Sequence, residues 1–269
     1  MFLSSFFTSA GMDESPSAYL FKWPHFLYLA LVAAGFIILL RLFLHRSART
    51  RRIFIIILAV ILFLFKYAGE VLYVWEWNHY GSAISSFSHP FLDVRTFISF
   101  QLCGINNVLL PIVVIFNIKW LKDFVYTTSI IGGLAAILYP VGILFGDPFV
   151  VTFPMVRTLS VHFLLLFIPC FLIASGDFTL VVKNWWKTIP AGCVIMYLWA
   201  MFGNLVIDPG ANNMYLMENP FLGGNIPILN SIPSGIHVLV LLFMVFLGFV
   251  IVYASVNAYT KRYVGKAKT

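Results

Sequence analysis

Charge is what this sequence has least of. Only 10% of its 269 residues are charged, and only 10 of them are Asp or Glu. Soluble domains carry roughly a quarter of their residues as charges, so an ordinary soluble globular domain is excluded. Cysteine is scarce as well. Cys103, Cys170 and Cys193 form an odd set without paired loop positions, which excludes a disulfide framework. The six histidines include no pair four residues apart. Neither an HExxH segment nor a glycine-rich phosphate loop occurs, so the common zinc and nucleotide signatures are missing, and neither metal nor cofactor is expected. The net charge of +7 does not point to nucleic acid, because the basic residues sit in short connections between apolar runs.

What is abundant is hydrocarbon. The chain is 61% hydrophobic with a mean hydropathy of +0.95, so lipid is the expected solvent. Crossing a bilayer core takes about 20 apolar residues per helix. Seven runs meet that length, at 25–44, 53–75, 96–118, 125–146, 158–181, 188–207 and 236–259. The expectation is an all-α, polytopic bundle forming one transmembrane domain over residues 1–269.

Orientation follows from Lys and Arg. With the N-terminus outside, the cytoplasmic connections would hold Arg41, Arg46, Arg49, Arg51, Arg52, Lys119, Lys122, Lys183, Lys187, Lys261, Arg262, Lys266 and Lys268. Those are 13 of the 17 basic residues, a strong positive-inside signal. The N-terminus is therefore expected outside and the C-terminus in the cytoplasm. A cell membrane, the bacterial cytoplasmic membrane in particular, is the expected location.

Ionisable groups inside spans are costly in lipid and commonly mark a site. Here they gather towards the outer ends. Lys66 and Glu70 lie in the second run, Cys103, Asn106 and Asn107 in the third, and Arg157 and His162 at the start of the fifth. The longest connection, before the last run, contributes Asn212 and Tyr215. Measured along straight helices, Cys103 would lie roughly 10 Å and His162 roughly 6 Å below the outer surface. A thiol beside an imidazole is a competent nucleophile for acyl groups. Asn106 and Asn107, at i+3 and i+4 from the cysteine, share its helix face and could donate to an oxyanion. The same residues allow two other readings: a small transporter using Lys66, Glu70 and His162, or a structural subunit in which they only hold helices together.

Two segments carry a resemblance. Phe100-Gln101-Leu102-Cys103-Gly104-Ile105-Asn106-Asn107-Val108-Leu109-Leu110-Pro111 resembles the HLC…LLP segment of the bacterial YwaF-like integral membrane proteins. Gly210-Ala211-Asn212-Asn213-Met214-Tyr215-Leu216, followed by Pro220, resembles their loop before the last span. Gln101 stands where that family often has His, and Asn213 where it often has Tyr. The family is related to the transmembrane protein 164 family of cysteine-dependent phospholipid acyltransferases. The resemblance implies Cys103 as nucleophile, His162 as base, and Asn212 and Tyr215 at the rim of the site. Glu70, Arg157, Asn106 and Asn107 would complete the substrate-binding set, and a membrane phospholipid or acyl-lipid would be the partner.

Overall fold

In lipid every backbone N–H and C=O must find its partner inside the protein, which leaves helices as the form for these apolar runs. The computed structural model describes residues 6–7, 19–80, 89–140, 151–180, 185–219, 221–222 and 227–260, and among them the regular structure is all helical. The helices are α1 (Trp23–Phe43), α2 (Ala48–Tyr80), the single turn α3 (Val94–Phe97), α4 (Leu102–Phe116), α5 (Lys119–Leu138), α6 (Phe153–Ala174), α7 (Trp185–Phe202), the short α8 (Pro227–Asn230) and α9 (Ile236–Tyr259). Six regions, α1, α2, α5, α6, α7 with its continuation, and α9, are long and apolar enough to cross a membrane. The expected end of the fourth span at 146, residue 181 of the fifth, and Lys183, Lys261, Arg262, Lys266 and Lys268 lie outside the described residues.

Four helices make the centre. α5 packs on α6 and α4, and α2 packs on both α4 and α6, while α1, α7 and α9 lie around this group. Leu62, Leu110, Val113, Val125, Leu165, Phe167 and Phe171 fill the space between them. The peripheral helices instead turn leucines and phenylalanines outward, such as Leu239, Phe243 and Phe246 of α9, as lipid permits. The turns from α1 to α2 and from α4 to α5 are short. The start of α2, the end of α4, the start of α5 and the end of α6 share one end of the bundle, where Arg51 pairs with Asp177 and Arg52 donates to the Ile115 carbonyl.

The third run departs from its expected form. A span over 96–118 was expected, but the helix begins only at Leu102 and is 15 residues long, roughly 22 Å against a hydrocarbon core of about 30 Å. Before it, Ile98 and Gln101 are extended. Ser99 explains part of the break, because its Oγ accepts the Gln101 N–H and its carbonyl accepts the Trp199 indole N–H at 3.1 Å. Phe100 then stacks on Trp199, with ring centroids 5.1 Å apart. It lies so close to Gly203 that a Cβ there would sit 2.5 Å from the Phe100 ring. Irregular backbone at this depth persists only where protein or a polar cavity surrounds it. The straight-helix depth of Cys103 is corrected accordingly: it is the second residue of α4.

Candidate functional site

Cys103 sits where a helix leaves donors unused. No side chain caps α4, and the first helical bond is from the Ile105 N–H to the Gln101 carbonyl at 2.9 Å. The N–H groups of Leu102, Cys103 and Gly104 precede that bond and have no helical acceptor. Three orphan donors and the positive end of the helix dipole thus lie around the thiol, a setting that favours negative charge. A straight span begun at 96 would consume these donors in its ladder, so they are invisible in the linear pattern.

Two consecutive glycines bring Cys103 and His162 to the same step of α5. A Cβ at Gly132 would lie 3.0 Å from Cys103 Sγ, and one at Gly133 would lie 2.9 Å from the His162 carbonyl oxygen. Successive helical positions point about 100° apart, so the two residues flank adjacent faces of one helix at one level. Among the described residues, no hydrogen bond joins the Cys103 sulfur to the His162 ring. The two residues pack on neighbouring positions of α5, and no direct dyad is formed between them.

Tautomers separate His162 from the other buried histidines. A carbonyl only accepts, so the 2.8 Å contact of His162 Nδ1 with the Thr158 carbonyl places the proton on Nδ1. In the neutral ring Nε2 then keeps its lone pair. His25 and His237 have the opposite arrangement. Their Nδ1 atoms accept the backbone N–H groups of Phe21 and Gly235, so their Nε2–H groups donate to the carbonyls of Ile137 and Tyr215. Both of those rings are occupied as braces. His162 retains a basic nitrogen.

Over this end lies the 212–216 turn. Met214 and Tyr215 both have φ near +55°, at 53° and 57°, which costs roughly 1 kcal/mol or more for side chains of their kind. Three clamps hold it. Gln101 Oε1 accepts the Met214 N–H at 2.8 Å, Asn204 Oδ1 accepts the Asn213 N–H at 2.7 Å, and His237 holds the Tyr215 carbonyl at 2.9 Å. Asn204 belongs to the π-helical turn Gly203–Ile207 that ends α7, a distortion often found at functional sites. Neither Gln101 nor Asn204 was singled out from the sequence as part of the site. The only signal for Gln101 was its place two residues before the cysteine, where the resemblance has His. Burial, followed by the nearness of Cys103 and Tyr139, pushes the Tyr215 phenol above its ordinary pKa. Asn212 plays a different part. Its amide closes its own loop, donating to the Glu218 carbonyl and accepting the N–H groups of Met217 and Glu218.

The two asparagines of α4 also divide. Asn106 Nδ2 donates one of its two N–H groups to Thr128 Oγ1 at 3.0 Å and so bonds α4 to α5. Asn107 makes no side-chain hydrogen bond to a described residue. Among the described residues, the buried oxygens Asn106 Oδ1, Asn107 Oδ1 and Ser129 Oγ have no hydrogen-bond partner. Buried polar atoms of this sort are ordinarily satisfied by water or ligand, so the polar region extends below Cys103.

Where α2 meets the start of α6 stands a group of three charges. Lys66 and Glu70 form an i,i+4 ion pair on α2. Arg157 lies flat against α2 at Gly69, where a Cβ would come within 2.8 Å of its Cδ and closer still to its guanidinium. Its Nε is buried without a partner, and its guanidinium makes no hydrogen bond to a described residue. Glu70 attracts it from a distance, and its own field reaches His162. Two cations therefore share one carboxylate. Among the described residues no three His, Cys, Asp or Glu side chains converge to hold a metal ion.

Six helices of membrane-crossing length, with ionisable groups turned inward near one end, make this a multi-pass membrane protein. The chain belongs to the TMEM164 family, whose model matches residues 20–262, nearly its whole length. No curated protein and no solved structure matches it.

Proposed function

We propose that the protein is a membrane-embedded acyltransferase or hydrolase acting on a phospholipid or other acyl-lipid, with Cys103 as nucleophile and His162 as base. The observation that supports this is an uncapped helix start at Cys103 and the backbone of His162 packed on neighbouring glycines of α5, Gly132 and Gly133, with the His162 proton held on Nδ1 by the Thr158 carbonyl. Short α4 serves as the third of seven spans, the N-terminus lies outside, and the site opens towards the outer leaflet. The positive-inside pattern supports that orientation, and the bacterial cytoplasmic membrane is the proposed location.

The chemistry balances without a cofactor. His162 Nε2 takes the Cys103 proton as the sulfur attacks the acyl ester carbon, after a side-chain rotation closes the gap between them. The carbonyl oxygen becomes an oxyanion against the backbone N–H groups at the start of α4, with Asn107 available as a side-chain donor. Collapse breaks the ester C–O bond, and His162 returns the proton to the departing lysolipid oxygen. A hydroxyl acceptor or water then attacks the thioester by the same route in reverse. Arg157, whose guanidinium has no hydrogen-bond partner among the described residues, suits the lipid phosphate. Tyr215 closes the pocket from above, and Glu70 restrains Lys66.

Labelling of purified protein by a thiol-reactive acyl-lipid probe tests the reading. Cys103→Ala is expected to abolish labelling while the helical circular dichroism signal and monodisperse elution persist. Labelling that survives the substitution removes the proposal.

A further inference from the structure

At the end of the bundle away from Cys103, a cleft of about 190 Å³ opens between the start of α2, the turn from α4 to α5 and the chain leaving α6. Arg51, Arg52, Asn117, Lys122, Tyr126 and Asp177 contribute to its lining. Its charges are not equally available. Arg51 is fully engaged, with Nε and Nη2 each donating to Asp177 at 2.8 Å and Nη1 donating to the Arg46 carbonyl at 2.9 Å. Partial burial alone would raise the Asp177 pKa, but the hydrogen bonds from Arg51 and Ser175 outweigh it and hold the carboxyl below its ordinary range. Asp177 and Arg51 thus cancel.

Arg52 and Lys122 remain. Arg52 gives one N–H to the Ile115 carbonyl at 3.0 Å, and Lys122 bonds to no described residue while the charges of Arg52 and Lys119 bear on it. Among the described residues, two cations face one cleft without a counter-charge of their own, beside the buried ring of Tyr126. Pockets for whole drug-sized ligands run from about 300 Å³ upward, so this one suits a group of about phosphate size. A phosphate monoester carries about −1.5 to −2 charges at neutral pH, which matches the two free cations better than a singly charged diester does. Basic pockets between helices at the cytoplasmic surface are where anionic headgroups settle.

We propose that this cleft binds a phosphomonoester, presented by the headgroup of an anionic lipid in the leaflet on the Arg52 side. The site is separate from Cys103 and does not depend on the acyl-transfer reading.

The test titrates purified full-length protein in neutral detergent with dioctanoyl phosphatidate, glycerol 3-phosphate and dioctanoyl phosphatidylcholine, following binding by calorimetry. Saturable phosphatidate binding is expected, weakened about tenfold by Lys122→Gln, as loss of one charge-assisted hydrogen bond implies. Adding Arg52→Gln should weaken it further, Lys122→Arg should preserve it, and Cys103→Ala should leave it unchanged. Phosphatidylcholine should not compete. Equal affinity for glycerol 3-phosphate would support the phosphomonoester chemistry but overturn the lipid source. Absence of phosphatidate binding, or equal binding by wild type and the folded double variant, would overturn the proposal altogether.

Discussion

The two ends of this bundle are built on different rules. At the Arg52 end helices stop in ordinary ways. Asn117 caps α4 in the left-handed region, Gly176 follows α6 with φ of 73°, and charges pair at the surface. At the Cys103 end regularity fails repeatedly: 98–101 is extended, α7 finishes in a π turn, and Met214 and Tyr215 occupy strained backbone. Buried oxygens without partners also occur in the Cys103 half of α4 and α5. The lesson is that lipid-facing helices can be uniform, whereas a pocket within lipid needs exposed backbone donors, and a broken helix supplies them.

That contrast can be broken most severely at His162. His162→Gln is expected to slow acyl-probe labelling by about 10²- to 10⁴-fold, the usual contribution of a general base, with little change in Tm. His25→Gln and His237→Gln should do the reverse, costing about 1–3 kcal/mol of stability through lost backbone bonds, with labelling retained in whatever protein folds. Similar effects of all three on labelling rate at matched folded fraction would erase the distinction drawn from their tautomers.

The glycine step sharpens it next. Gly132→Ala presses on Cys103 Sγ, so labelling should fall about tenfold or more while the fold survives, since small misplacements of a reacting group are expensive. Gly133→Ala meets backbone of α6 at His162 and Leu166, which a side-chain shift cannot relieve. It should cost about 1–3 kcal/mol of stability, read as a lower Tm in detergent. A smaller effect follows at Gln101. Gln101→Leu leaves the Met214 N–H without its acceptor, and about 1–2 kcal/mol is then available to loosen the strained turn. Proteolysis within 212–219 should become faster than in wild type, with α-helical content unchanged.

The mildest effect is one of pH in the loop before α3. Hydrogen bonds from Arg95 hold the Asp93 carboxyl below its ordinary range, outweighing partial burial. A depressed folded pKa means the stabilisation is complete above the unfolded-state value of about 3.9 and is lost as pH falls through the lower folded value. A Tm series below pH 4 should show that loss in wild type, and the contribution should vanish in Asp93→Asn.

Much of the helical pattern was legible in advance because apolar length is a local property. The runs near 25–44 and 236–259 became α1 and α9 with ends shifted by two residues or fewer. Lys66 and Glu70 sit one helical turn apart, so their ion pair was also legible. The start of α4 was not. Phe97, Ile98 and Phe100 look like any membrane helix, and only contacts with Trp199 and Gly203 pull them out of one. The loop bonds of the Asn212 amide were not legible either, because they depend on where the Met217 and Glu218 N–H groups come to lie.

By itself the sequence determined the solvent, most of the helices and the end of the spans at which ionisable groups gather, since each follows from hydrophobic length and the cost of charge in lipid. Tertiary structure decided which of those groups meet. Gly132 and Gly133 let α4 and α6 close on α5, Gly69 accepts Arg157 along α2, and Gln101 anchors the Tyr215 turn. Those arrangements depend on contacts between residues far apart in the chain, where the absence of a single Cβ fixes how near two backbones come, and no local pattern encodes that distance.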